Sequence, residues 1–103
     1  MAGRAVLIAG GAGGMGLAAG LRLAADGERI ALADLPGRKL DEAVAKISAT
    51  GATATGMPLD IRSVSGCREV VDRARQWGGS LDILVNAAGV WLKGPADATR
   101  EDQ

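Results

Sequence analysis

Seven consecutive residues, Gly10-Gly11-Ala12-Gly13-Gly14-Met15-Gly16, five of them glycine, separate a short apolar run from a helical one. A stretch with so few side chains cannot supply a core, and its backbone is free to turn tightly and to come close to other atoms. What lies on either side narrows the choice. Arg4 to Ala9 carries Val6, Leu7 and Ile8 with no polar alternation, the pattern of a strand buried on both faces. After the glycines, Leu17, Leu21 and Ala24 stand at i, i+4 and i+7 and predict a helix over 17–25, stopped by Asp26-Gly27. The cluster is therefore a strand-to-helix turn.

The same alternation continues. Arg29 to Ala33 reads as a second apolar strand ending on Asp34. Pro36 suits a helix start, and Leu40, Val44 and Ile47 mark one helical face through about Ala49, closed by Gly51. Thr53 to Leu59 is a weaker strand, interrupted by Gly56 and Pro58, that ends on Asp60. Ser63 is a plausible N-cap for a third helix with Cys67, Val70, Val71 and Ala74 on its apolar face, closing near Gly78-Gly79. Leu81 to Val85 is a fourth strand running into Asn86-Ala87-Ala88-Gly89. Val90 to Asp97 reads as loop, and Thr99-x-x-Asp102 as a capping pattern at the first turn of another helix. The order β-α-β-α-β-α-β predicts an α/β fold of Rossmann type, a parallel sheet with helices on its faces, within one domain over 1–103.

Composition removes several functions. The chain has no histidine and no tyrosine, so it has no Ser-His-Asp or Cys-His mechanism and no phenolic acid of its own. The single Cys67 leaves no internal disulfide or multi-cysteine metal site, and no metal is expected. Twelve basic and twelve acidic side chains balance without a basic stripe, which argues against nucleic acid. No apolar run approaches the roughly 20 residues of a membrane span, and no signal peptide is evident. The unpaired cysteine suits the cytoplasm.

A strand-to-helix glycine turn has one well-understood use. The first amides of a helix lack internal partners and carry the positive end of its dipole, so a diphosphate can settle there if no side chain blocks the backbone. Two registers fit: Gly11-x-Gly13-x-x-Gly16 and Gly10-x-x-x-Gly14-x-Gly16. The alternative is a turn that binds nothing. Asp34 lies 18 positions after Gly16, near the roughly 20-residue offset of a ribose-binding acid. A carboxylate there accepts the adenine-ribose hydroxyls and repels a 2′-phosphate. No basic residue lies in Gly10–Gly16, Leu35 follows the acid, and Arg38 is read as pointing to solvent, so the pattern favours NAD over NADP. Asp34 could instead cap the helix after Pro36. Asp60 could accept from an adenine amino group or be an ordinary turn acid. Asn86-Ala87-Ala88-Gly89 offers small residues where a ribose could approach, or a plain turn.

Together these motifs resemble the short-chain dehydrogenase/reductase family. Ala9-Gly10-Gly11-Ala12-Gly13-Gly14-Met15-Gly16 is similar to its Thr-Gly-x-x-x-Gly-x-Gly loop, and that resemblance selects the longer register, with Gly10, Gly14, Met15 and Gly16 at the cofactor. Asp34, followed by Leu35, resembles the acid of NAD-using members, Asp60-Ile61 the pair lining the adenine pocket, and Asn86-Ala87-Ala88-Gly89 the Asn-Asn-Ala-Gly stretch after the fourth strand. Ala9 replaces the usual Thr, and Ala87 the second Asn. The resemblance implies NAD as cofactor and strand order 3-2-1-4. It also implies a catalytic Ser and Tyr-x-x-x-Lys that these residues do not include, so no catalytic residue is assigned and the chain alone is expected to be inactive. The other reading is a non-catalytic nucleotide-binding module completed by a partner chain. In either case the fourth strand would be an exposed apolar edge prone to self-association. Cys67 and Trp77 are read as packing residues, Trp91 as loop packing or else a substrate-facing residue at the mouth of the cleft, Lys93 as uninvolved, and Arg68, Glu69, Asp72 and Arg73 as a solvated helix face.

Overall fold

The computed structural model describes residues 3–60 and 63–87. Its elements run β1 (Ala5–Ala9), α1 (Gly14–Ala25), β2 (Arg29–Asp34), α2 (Arg38–Ser48), β3 (Ala54–Pro58), α3 (Val64–Gly78) and β4 (Ile83–Asn86). The four strands form one parallel sheet in the order β3-β2-β1-β4. This is the Rossmann-type arrangement expected from the alternation.

The central strands are apolar because both their faces are covered. Val6, Ile8, Ile30 and Leu32 point to one side and pack with Ala24 of α1 and with Leu40, Ala43 and Ile47 of α2. Leu7, Ala31 and Ala33 point to the other and pack with Cys67, Val70 and Ala74 of α3, together with Met57 and Leu59. Burying each large aliphatic side chain of this double core is worth about 1.5–3 kcal/mol.

Element ends differ from the sequence reading where packing overrides local preference. Helix α1 begins at Gly14, not Leu17. Glycine costs roughly 1 kcal/mol in a helix, but a Cβ on Gly16 would lie 2.2 Å from the Gly10 carbonyl oxygen, so only glycine lets this turn nest against the loop. Helix α2 begins at Arg38, because Gly37 at φ 145° stands outside helical space and separates Pro36 from the first turn. Strand β3 is continuous from Ala54 to Pro58 despite its glycine and proline: Gly56 sits beneath Leu40 and Val44, and Pro58 is the last residue of an edge strand. Strand β4 is shifted to Ile83–Asn86 by its register with β1, Val6 opposite Ile83 and Ala9 opposite Asn86. Leu81 packs instead against the α3 layer. Ser63 caps α3 as expected, its hydroxyl accepting from the Gly66 N–H at 3.0 Å, and Gly79 ends that helix in the left-handed conformation at φ 79°.

Candidate nucleotide-binding site

The carboxyl ends of all four strands meet at one edge of the sheet. The N–H groups of Gly10 and Gly11 both donate to the Ala33 carbonyl, at 2.7 and 3.2 Å, so the glycine loop is anchored to the tip of β2 as it leaves β1. Leu59 donates to the Asp34 carbonyl and Ala87 to the Ala9 carbonyl, which brings the ends of β3 and β4 to the same edge. Open parallel sheets bind ligands at this edge, outside the strand carboxyl ends.

Glycines in the loop serve different purposes. Gly10 has φ 81°, a left-handed conformation that side chains disfavour. Gly11 lies against Leu32, where a Cβ would come within 2.7 Å of its side chain, and Gly16 lies against the Gly10 backbone. Those three are required by packing or by backbone angle. Gly14 is not: a Cβ there would meet nothing within 4 Å. The space it leaves open borders the start of α1.

That helix start is bare. Its N-cap is Gly13, no side chain caps it, and its first turn has no acid. The Leu17 N–H donates to the Gly13 carbonyl at 2.8 Å, and the preceding N–H groups of Gly14, Met15 and Gly16 have no acceptor among the described residues. Unpaired N–H groups at the positive end of a helix are the elements from which an anion site can be built. Helix α3, capped by Ser63, is the counterexample within the same molecule.

Asp34 faces the loop. Its Oδ2 accepts from the Ala12 N–H at 2.9 Å and its Oδ1 from the Leu35 N–H at 2.7 Å. It therefore does not cap α2. A carboxylate has about four acceptor positions, so two such bonds fix its orientation and still leave capacity for a ligand's hydroxyls. Asp34 lines a cavity of about 480 Å³ with Ala12, Gly13, Leu35, Pro36, Gly37, Arg38 and Lys39. Arg38, read from the sequence as directed to solvent, is exposed and borders this cavity, as does Lys39, which the sequence reading had not singled out. The signal for both was the Pro36-Gly37 turn, which folds the start of α2 back beside the acid.

Asp60 follows β3, its carbonyl accepting from the Ser63 N–H at 2.9 Å. Burial first, and the charge of Asp60 second, push the Cys67 thiol above its ordinary range, in keeping with its place in the core. Asn86 ends β4 and Ala87 follows it. Ile61, Ala88, Gly89, Trp91 and Lys93 lie outside the described residues. No group of three or more His, Cys, Asp or Glu side chains among the described residues could hold a metal ion, and no helix among them is long and apolar enough to cross a membrane.

Comparisons with known proteins agree with this architecture. The short chain dehydrogenase family pattern matches residues 4–103. A 2,3-dihydro-2,3-dihydroxybenzoate dehydrogenase of Bacillus subtilis (strain 168) is 37% identical over 92 residues, which cover 89% of this chain and 35% of that protein. An L-2,3-butanediol dehydrogenase of Corynebacterium glutamicum is 34% identical over 102 residues, covering 96% of this chain and 40% of the relative. Among solved structures, an NAD+-bound xylitol dehydrogenase superposes with a TM-score of 0.76 at 34% identity, over 81% of this chain and 32% of that one. An actinorhodin polyketide ketoreductase with NADPH superposes with a TM-score of 0.80 at 29% identity, over 86% of this chain and 35% of that one. The chain thus spans about a third of the length of the curated relatives it matches. Parallel strands in Rossmann order, the glycine turn opening α1 and a family match across nearly the whole sequence make this chain a member of the short-chain dehydrogenase family.

Proposed function

We propose that these residues bind the adenosine diphosphate part of NAD on behalf of a short-chain oxidoreductase. The observation that carries this reading is the uncapped start of α1, with three open N–H groups beside a fixed carboxylate. In this reading the diphosphate lies over Gly10, Gly14, Met15 and Gly16, where a Cβ on Gly14 would meet nothing within 4 Å. Asp34 and Leu35 face the adenine ribose, Asp60 and Ile61 the adenine, and Asn86, Ala87, Ala88 and Gly89 the ribose on the nicotinamide side. When bound, the nicotinamide supplies hydride exchange with an alcohol or carbonyl substrate. The chain's own share is to bind and orient: it has no tyrosine, so a phenolic acid has to come from outside these 103 residues.

NAD is favoured over NADP because Asp34 is held in place by two backbone bonds, whereas Arg38 and Lys39 are exposed. A 2′-phosphate about 4 Å from that carboxylate would be repelled by roughly 1 kcal/mol per charge in water and about 4 near a protein surface. Titration calorimetry should show NADH binding more tightly than NADPH. Asp34→Asn should weaken NADH about tenfold and narrow that preference. Equal affinity of the unaltered chain for both nucleotides would defeat the NAD assignment, and no heat with either would defeat nucleotide binding altogether.

A non-catalytic module completed by a partner is the second reading, and strand β4 favours it. Among the described residues β4 pairs only with β1, and Leu84 on it is 48% exposed. An apolar edge of this kind invites another strand, from a second copy or a complementing chain. Light scattering at rising concentration should show self-association, and a monodisperse monomer throughout would contradict it. Cytoplasmic residence and a single domain over 1–103 complete the proposal, resting on the lone cysteine and on chain length.

A further inference from the structure

Three sulfur-bearing side chains fall among the described residues, and one of them meets solvent. Cys67 is 6% exposed and Met57 5% exposed, both in the α3 layer, whereas Met15 is 77% exposed in the first turn of α1. Oxidation of sulfur follows access, so of these three a peroxide reaching the folded chain meets Met15 first. The Cys67 thiol is further protected, because the thiolate is the reactive form and burial disfavours it.

Met15 also stands where a change of polarity matters. Its own N–H is one of the three without an acceptor, between those of Gly14 and Gly16, and neither a capping side chain nor an acid competes for them.

We propose that Met15 is a redox-sensitive modification site at which a peroxide forms the sulfoxide and thereby loosens the grip of α1 on a dinucleotide diphosphate. The inference rests on the nucleotide-binding reading. In the step, a sulfur lone pair attacks one peroxide oxygen, the O–O bond breaks and an S–O bond forms. Sulfur is oxidised by two electrons, and hydrogen peroxide is reduced to water. The product oxygen is a strong acceptor with partial negative charge, carried by the residue that supplies one of the donors. It competes for the open N–H groups and repels the phosphates.

The test uses the whole 103-residue chain, treated with hydrogen peroxide, mapped by peptide mass spectrometry and titrated with NADH. Met15 should gain oxygen before Met57, and NADH affinity should then fall about tenfold, the effect of losing a hydrogen bond to a charged group. Methionine sulfoxide reductase with a thiol reductant should restore it. Met15→Leu, whatever its own affinity, should bind equally before and after peroxide. Unchanged affinity of the Met15-oxidised chain, oxidation of Met57 ahead of Met15, an equal loss in Met15→Leu, or a parallel loss of helical circular dichroism would each overturn the proposal. If untreated chain takes up no NADH, the nucleotide reading fails and this inference with it; if untreated and oxidised chains bind alike, only the inference fails.

Discussion

The two ends of the sheet solve opposite problems. At the amino ends of the strands, polar groups are paired. The Glu28 carboxylate, in a residue only 6% exposed, accepts from the Arg4 backbone N–H at 2.8 Å and from Arg4 Nε at 2.9 Å and Nη2. Arg29 donates from Nε to the Gly3 carbonyl and from Nη2 to the Gly78 carbonyl, at 2.9 and 3.0 Å, with its guanidinium 6.0 Å from the centre of the Trp77 ring. The Asp82 carboxylate accepts from the Ala5 N–H at 2.9 Å. At the carboxyl ends the chain presents glycines, three open amides and one anchored acid. A buried donor left unpaired costs roughly 1–3 kcal/mol. The closed end avoids that cost with side chains, whereas at the open end two of the three donors belong to the exposed residues Gly14 and Met15. If the carboxyl edge binds nucleotide as proposed, stability and binding fall to opposite edges of one sheet, and substitutions should separate them.

The largest effect is expected where the two roles overlap. Gly16→Val would force a Cβ to within 2.2 Å of the Gly10 carbonyl oxygen and 2.7 Å of the Gly11 Cα, both backbone atoms that cannot move aside. A loss on the order of 3 kcal/mol in urea unfolding, with loss of NADH binding, should follow. Gly14→Val, two residues earlier, has room for its Cβ. It should unfold within about 0.5 kcal/mol of the unaltered chain and yet lose NADH binding. If both substitutions destabilised alike, the division of the loop into packing and access glycines would be wrong.

Smaller effects are expected at the closed edge. The Arg4 side chain, through its hydrogen bond first and then its backbone N–H, holds the Glu28 carboxyl below the usual carboxylate range. A group whose pKa is lower folded than unfolded stabilises the fold fully above the unfolded value of about 4.3. That stability is lost as the pH falls through the folded value. The unaltered chain should therefore lose stability as the pH falls below about 4.3 and through the folded value, and Glu28→Gln should flatten this dependence while leaving NADH affinity unchanged at neutral pH. A variant with the same acid profile as the unaltered chain would show that Glu28 contributes nothing to it.

Much of this molecule is legible in one dimension. Unbroken apolar runs at Val6-Leu7-Ile8 and Ile30-Ala31-Leu32 announce strands covered on two faces, and all six are fully buried or nearly so. Helical spacing at Leu40, Val44 and Ile47, and at Cys67, Val70, Val71 and Ala74, finds the faces that pack in the core, with Val44 and Val71 only partly buried there. The periodicity of apolar residues is a local property, and backbone geometry turns it directly into a buried face. Pairings across the sheet leave no such trace. Nothing at Arg4 points to Glu28, 24 positions away, nor anything at Asp82 to Ala5, 77 positions away.

The sequence by itself determined the alternation of strands and helices, the turn between β1 and α1, and the acid at the tip of β2, because each follows from short-range spacing and from what glycine and aspartate can do. Only the tertiary structure decided which glycines are there for packing and which for access, that Asp34 turns to the Ala12 amide and not to α2, and that Arg38 and Lys39 share its cavity. Those are contacts between segments brought together by the burial of a common core. Their distances depend on how the layers stack, which no run of neighbouring residues encodes.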